Sequence, residues 1–338
     1  MEIAAPNFQH LLAMTDENGT FEHADHAEPR REHGYCTDDV ARVLLVVARE
    51  PSAPPDLIRL AQSSEEFLRA AQSREGTSRN RRSASGEWVG PYTTEDCWGR
   101  SIWAFGTAAA RSTDEAVRSS AAALFARGVQ VRSRWPRSMA FAALGAAELF
   151  EIDPANTPAR DLLVDAGRLL DRPDVDETWR WGEPRLSYAN AALAEATMAV
   201  GLALREDQFV ETGLRRLQWL LDLETPDTHL SVTPVGGRER NERVTKFDQQ
   251  PIEVAAMSDA CVRALAITGD AKWRDALELC ALWFMGINDV GVPMYDAATG
   301  GGYDGLTERG ANQNQGAEST IALLTTLQHV RQAVQLSS

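Results

Sequence analysis

The sequence predicts an all-α protein, an (α/α)6 toroid of six helical hairpins with long loops on one face. Three observations carry that prediction. Apolar patterns of helical period come in pairs along the 338 residues. The link inside each pair is short, about three to five residues, as antiparallel helix neighbours require. The links between pairs run to roughly 9 to 29 residues in most cases, a length that is uncommon unless the loop has a function. Alternating short and long links put every long loop on the same end of the bundle.

The elements follow in order. "NFQHLLAM" (7–14) supplies a short outer helix. "DDVARVLLVVARE" (38–50) is apolar nearly all round, as a buried helix should be. After "PSAP", "PDLIRLAQSSEEFLRAAQ" (55–72) has apolar residues on one face and charges on the other, and is its outer partner. The pairing recurs at 95–110 with 114–128, 137–150 with 156–170, 188–203 with 206–222, and 252–267 with 271–285. A helix over 316–335 closes the ring against the N-terminal one. The spacing of the inner helices is irregular, which argues against a solenoid of near-constant repeats. No boundary divides the chain, so 1–338 reads as one domain.

Composition narrows the function. The chain is 43% hydrophobic and 25% charged, with a formal net charge of −15. It lacks the basic face that nucleic-acid binding needs, and this acidity favours a neutral or cationic ligand. The basic cluster "REGTSRNRRS" (74–83) reads as a solvated loop. No stretch reaches the roughly 18 apolar residues that span a membrane, and the N-terminus lacks a signal-peptide pattern. The four cysteines form no CxxC pair, so reduced thiols and a cytoplasmic location are expected.

Each long loop delivers polar and aromatic residues to the start of a buried helix. The six stretches are "EHGYCTDDVAR" (32–42), "GPYTTEDCWGR" (90–100), "RWPRSMAF" (134–141), "GEPRLSYANA" (182–191), "KFDQQPIEVAAM" (246–257) and "GYDGLTERGANQNQGAEST" (302–320). In a ring, all six converge on the mouth of one cavity. The first two share the pattern Y-x-T-[DE]-D, with Arg42 and Arg100 about one turn later. Thr37 and Thr94 are expected N-caps, and first-turn acids suit the helix dipole. A cap needs one oxygen, yet each site supplies two adjacent carboxylates before an apolar helix, where an unpaired carboxylate is costly. Arg42 and Arg100 are placed to neutralise them.

Flat aromatic faces beside carboxylates and carboxamides suit sugar rings. Glycosidic bond cleavage needs one carboxylic acid and a second carboxylate as base or nucleophile. Asp39 and Asp96 are the leading pair, with Asp38 and Glu95 beside them; Asp304 or Glu308, on a glycine-flanked loop, is the next acid. Asp248, Glu253 and Glu318 are further acids of the ring. His33, Tyr35, Tyr92, Trp98, Trp135 and Tyr188 are expected to touch substrate, with Trp88, Trp179, Trp181 and Tyr303 crowding the same loops. Arg100, Arg137, Asn190, Asp248, Gln249, Gln250, Asn312, Asn314, Gln315 and Glu318 supply hydrogen bonds to hydroxyls, with Arg185 and Arg309 nearby. The motifs call for no cofactor and no metal; the expected partner is a carbohydrate substrate.

The hairpin count, the loop asymmetry and the acid-bearing starts of the inner helices resemble the six-hairpin glycosidase superfamily. The joint set "HGYCTDDVAR", "GPYTTEDCWGRSIWAFG", "WPRSMAFAALG" and "GLTERGANQNQGAEST" carries a further likeness over about residues 7–335, to bacterial proteins that accompany glycosyltransferases in carbohydrate gene clusters. The resemblance implies the toroid and activity on a bacterial oligo- or polysaccharide, by a glycoside hydrolase or phosphorylase. Six-hairpin families also include lyases and epimerases, so other chemistries stay open. An epimerase or isomerase would shuttle a proton through His33 or His229. A zinc or thiol site would use His33, Cys36 and Cys97. A glycan-binding protein would keep the pocket without a competent acid pair.

Overall fold

The computed structural model describes residues 3–242 and 246–335. Among them are α1 (Gln9–Ala13), α2 (Thr37–Ala48), α3 (Pro55–Ala71), α4 (Asp96–Arg111), α5 (Glu115–Gly128) and α6 (Pro136–Ile152). There follow α7 (Thr157–Leu170), α8 (Ala191–Leu204), α9 (Asp207–Glu224), α10 (Pro251–Thr268), α11 (Ala271–Phe284) and α12 (Ala317–Gln335). The even-numbered helices pack each on the next, and α12 returns onto α2, closing an inner ring. Each odd-numbered helix packs outside its partner, with the short α1 against α12. The all-α toroid is therefore the fold of this chain.

Local chemistry accounts for the helix starts. Proline occupies the first turn of α3, α6 and α10, where its missing N–H costs nothing. The side chains of Asp114, Asn156 and Asp270 cap α5, α7 and α11. The inner helices are rich in alanine and glycine, which lets them pack close. At the α4–α6 crossing a Cβ on Gly106 would sit 2.1 Å from the Gly145 carbonyl oxygen, so only glycine fits there.

The expected threonine caps are not formed. Cys36 and Glu95 hold the cap positions of α2 and α4, neither with a side-chain cap bond. Thr37 is already helical, and its hydroxyl donates to the Arg79 carbonyl at 2.7 Å. The fourth inner helix starts three residues later than its apolar pattern, because Ala189 adopts a left-handed backbone at φ 44°.

Short antiparallel strands stitch the long loops together, a feature the helical periodicity does not reveal. β1 (Thr15–Asp16) pairs with β2 (Gly19–Thr20), and β3 (Ala24–Asp25) with β4 (Glu28–Pro29). β5 (Tyr35–Cys36), β6 (Arg81–Arg82) and β7 (Trp88–Val89) join the loops before α2 and α4. β8 (Arg185–Leu186) and β9 (Arg238–Glu239) join those before α8 and α10, and β10 (Gly305–Thr307) with β11 (Gly310–Asn312) form the hairpin before α12.

Candidate active site

The loop face carries a cleft of about 480 Å³ whose wall includes four carboxyls: Asp38, Glu95, Asp96 and Glu183. Asn80, Cys97, Trp135, Pro136, Arg137 and Tyr188 complete it. Asp38 and Asp39 are adjacent on α2, so their side chains diverge by about 100°. Asp38 reaches the cleft and Asp39 does not.

Asp39 is buried, its Oδ1 2.5 Å from Arg42 Nη2, and Arg42 also donates to Glu318 Oε2 at 2.9 Å. Burial pushes the Asp39 carboxyl up to about 7, against the opposing pull of Arg42. Asp38 Oδ1 has Arg100 Nε 3.7 Å away and no hydrogen bond among the described residues, while its Oδ2 accepts from the Cys36 thiol at 3.7 Å. Burial raises the Asp38 carboxyl, Arg100 and Arg42 oppose the rise, and the like charge of Asp96 adds to it. Each arginine therefore does neutralise an acid, but Arg100 does so for the acid of the preceding hairpin.

Asp96 at the start of α4 accepts from Ser138 Oγ at 2.7 Å and from the Tyr188 hydroxyl. Tyr188 is held in turn. Arg137, nearly buried, lies 5.0 Å from its ring centroid and donates to the Tyr188 carbonyl at 2.7 Å. The same guanidinium donates to Glu183 Oε2 at 2.9 Å and to Asn190 Oδ1 at 3.1 Å. Behind the turn, the Glu253 carboxylate accepts from the Ala189 and Asn190 amides at 2.5 and 3.3 Å. Burial pushes Glu253 up to about 7 despite those donors. A line of contacts thus runs from α10 through the α8 turn to Asp96.

Other expected site residues fall in three groups. Tyr92 and Trp135 are exposed, Trp135 in the cleft wall, each under a guanidinium, Arg79 at 4.2 Å and Arg134 at 4.6 Å from the ring centroids. Tyr35, Trp98, Trp179 and Trp181 are core instead. Tyr35 stacks on Phe21 and donates to Asp16, Trp98 donates its indole N–H to the Gly128 carbonyl, and Trp179 and Trp181 pack on Trp219. These corrections share a cause: a wide aromatic flanked by outer helices finds more apolar area inward than at the mouth.

The third group is structural. Asn190 and Gln249 are fully buried, Gln249 bonding Trp283 and Asp289. Asp304 accepts from the Gly316 amide at 2.8 Å and Ser319 Oγ at 2.9 Å, so it ties its loop to the start of α12. Gln315 bonds Thr299 and Asp296, and Asn314 accepts from the His26 amide. Glu308 and Asn312 are exposed on the β10–β11 hairpin, Asp248 is exposed and Gln250 half-buried before α10. Asn80, Ser138 and Glu183 were missed: Asn80 lies in the cluster read as a solvated loop, and Ser138 and Glu183 lie inside two of the six stretches, where the arginine and aromatic neighbours drew the expectation instead.

No protein-family model matches the sequence, and no curated protein matches it. Among solved structures the chain is similar to a sugar epimerase from a ruminal bacterium, with TM-score 0.72, 15% identity and 95% of each chain covered. It is similar to a D-mannose isomerase, with TM-score 0.70, 12% identity, and 96% of this chain and 95% of that one covered. The cellulase Cel9M of C. cellulolyticum in complex with cellobiose gives TM-score 0.60 and 10% identity over 95% of this chain and 88% of that one. These likenesses establish the fold. Epimerase, isomerase and cellulase structures thus share this toroid, and the groups in the cleft have to decide between chemistries.

Among the described residues no histidine lines the cleft. His33 is exposed, its Nδ1 3.1 Å from that of His23, and His229 lies 3.3 Å from Asp289. The thiols are equally unsuited to nucleophilic work. All four cysteines are free and buried, and burial pushes Cys36 far up and Cys97 to about 12. The ligand atoms that do converge are those of Glu22, Cys36 and Asp39, not His33, Cys36 and Cys97. Their carboxylates are already paired with Arg81 and Arg42. Among the described residues no helix is long and apolar enough to cross a membrane.

Proposed function

We propose that this chain is a carbohydrate-active enzyme, a glycoside hydrolase or a phosphorylase of the same geometry, acting on a bacterial oligo- or polysaccharide. The observation that carries the reading is the convergence of Asp38, Glu95 and Asp96 from two adjacent inner helices on one cleft, without a histidine in its wall. Asp38, held up by burial, is suited to donate a proton to the leaving glycosidic oxygen. Asp96, oriented by Ser138 and Tyr188, is suited to act as base or nucleophile. Tyr92 and Trp135 offer exposed ring faces to sugar C–H surfaces. Asp39 acts one step back, fixing Arg42. In a phosphorolytic version Arg137 is the nearest fork for a phosphate.

The likeness to an epimerase and an isomerase favours a second reading, in which the same carboxyls move a proton beside a carbonyl. One experiment separates the two. Purified protein is incubated with a panel of bacterial glycans, and products are analysed by mass. Shorter sugars, with turnover reduced about a hundred-fold or more in Asp96→Asn and Asp38→Asn, support glycosidic cleavage. Products of unchanged mass support epimerisation. Cleavage at full rate in both variants contradicts the assignment.

A further inference from the structure

Glu253 is a buried acid that the chemistry proposed for the cleft does not use. It lies in the first turn of α10, 5% exposed, where the helix dipole favours a negative charge. Both of its oxygens accept from one short segment before α8. Oε1 takes the Ala189 amide at 2.5 Å, and Oε2 takes the Asn190 amide at 3.3 Å and Asn190 Nδ2 at 3.2 Å. The Asn190 side chain cannot be turned round, because its Oδ1 accepts from Arg137 and from the Ser187 amide. Three donors therefore face Glu253, and a carboxylate, which only accepts, is the group that satisfies them all.

The segment needs such a hold. Ala189 takes φ 44°, a left-handed backbone that is unfavourable for a residue with a Cβ. Successive amides at a left-handed turn form a nest for an anion, and the Glu253 carboxylate occupies it. Conformations of this kind persist only where their surroundings over-determine them. The residue just before is Tyr188, whose hydroxyl donates to Asp96. Arg137 grips the same turn from α6, through the Tyr188 carbonyl at 2.7 Å and Asn190 Oδ1 at 3.1 Å. Glu253 is the second jaw, from α10.

We infer that Glu253 is a positioning residue for the Asp96 site: by holding the Ala189 and Asn190 amides it keeps the Tyr188 hydroxyl on the Asp96 carboxylate. Glu253 is not part of the cleft wall and acts through the turn. Glu224 supplies the comparison within the same molecule. It is equally buried, yet its carboxylate accepts from the Thr233 amide and hydroxyl, not from the turn. The kinetic part of the inference rests on Asp96 being the base or nucleophile; the structural part does not.

The test has two arms on the full chain. The first is the crystal structure of Glu253→Gln without ligand. Glutamine keeps the size of the side chain but turns an N–H toward one of the three donors, so the Tyr188 hydroxyl should move out of hydrogen-bond reach of Asp96. The second is a double-mutant cycle on a glycan of the panel that the wild type cleaves. Glu253→Gln should lower kcat about ten-fold. In a Tyr188→Phe background the same change should cost less than two-fold, because the hydroxyl it serves is already gone. Glu224→Gln should leave kcat within two-fold in either background. Thermal melts set a temperature at which every variant is folded, and Glu253→Asp, with the charge kept and the reach shortened, replaces Glu253→Gln in both arms if the latter does not fold. If the wild type cleaves no glycan, the reading of the cleft fails and the crystal structure still decides the role of Glu253. Three results would overturn the inference: full kcat in Glu253→Gln, a loss that repeats undiminished on Tyr188→Phe, or a variant structure with the Tyr188 hydroxyl still on Asp96.

Discussion

Replacing Arg137 by methionine keeps the length and apolar stem of the side chain and removes the guanidinium. In the folded chain that group is 8% exposed and donates to Tyr188, Glu183 and Asn190. Glu183, partly exposed in the cleft wall, is left without its cation, and the Tyr188 carbonyl and buried Asn190 each lose a donor; at about 1–3 kcal/mol per group the loss comes to about 3–5 kcal/mol. An unfolding entropy of about 2.1 cal/mol/K per residue gives about 0.7 kcal/mol per degree over this chain. The melting temperature should therefore fall by about 4–7 °C, measured by circular dichroism at 222 nm. Arg137→Lys keeps the charge but not the fork, and should fall between. Because the Tyr188 turn is released as well, turnover should drop in both variants. A melting point within about 1 °C of the wild type would refute the role given to this arginine.

Tyr188→Phe deletes one of the two hydroxyls on Asp96. A hydrogen bond to a charged group is worth about 1.5–3 kcal/mol, so kcat should fall about ten- to hundred-fold while the melting point holds, the side chain being half-exposed. Burial raises Glu224 to about 8 and Glu253 to about 7 from an ordinary 4.5. Between pH 4.5 and those values the folded chain keeps protons that the unfolded chain has lost, so these groups make stability fall as pH rises. Melting temperature should decline across that window and decline less in Glu224→Gln; a rise would contradict the sign.

The toroid was legible because its signals are long-range and redundant. Six nearly apolar helices, five of them followed by an amphipathic one after a short link, leave few other ways to bury the inner faces. Helix starts were less legible where a side chain found a better partner elsewhere, as Thr37 did on the Arg79 carbonyl. The candidate cleft was legible by region and not by residue. The repeated acid pairs lie at the two helix starts that line it, but which of Asp38 and Asp39 faces the cleft depends on rotation about α2. Asp304 looked like a catalytic acid and Gln315 like a ligand reader because loop residues that tie a segment to a helix use the same polar groups. The contribution of Glu183 comes from a tertiary approach to Arg137 that no local pattern encodes.

The most direct test of the account is the structure of Asp96→Asn bound to an intact oligosaccharide that the wild-type protein cleaves. The account predicts the scissile oxygen within hydrogen-bond reach of Asp38, the anomeric carbon facing residue 96, and a sugar ring against Trp135 or Tyr92. A glycan bound away from the Asp38–Asp96 cleft, or one whose glycosidic oxygens approach neither carboxyl, would contradict it.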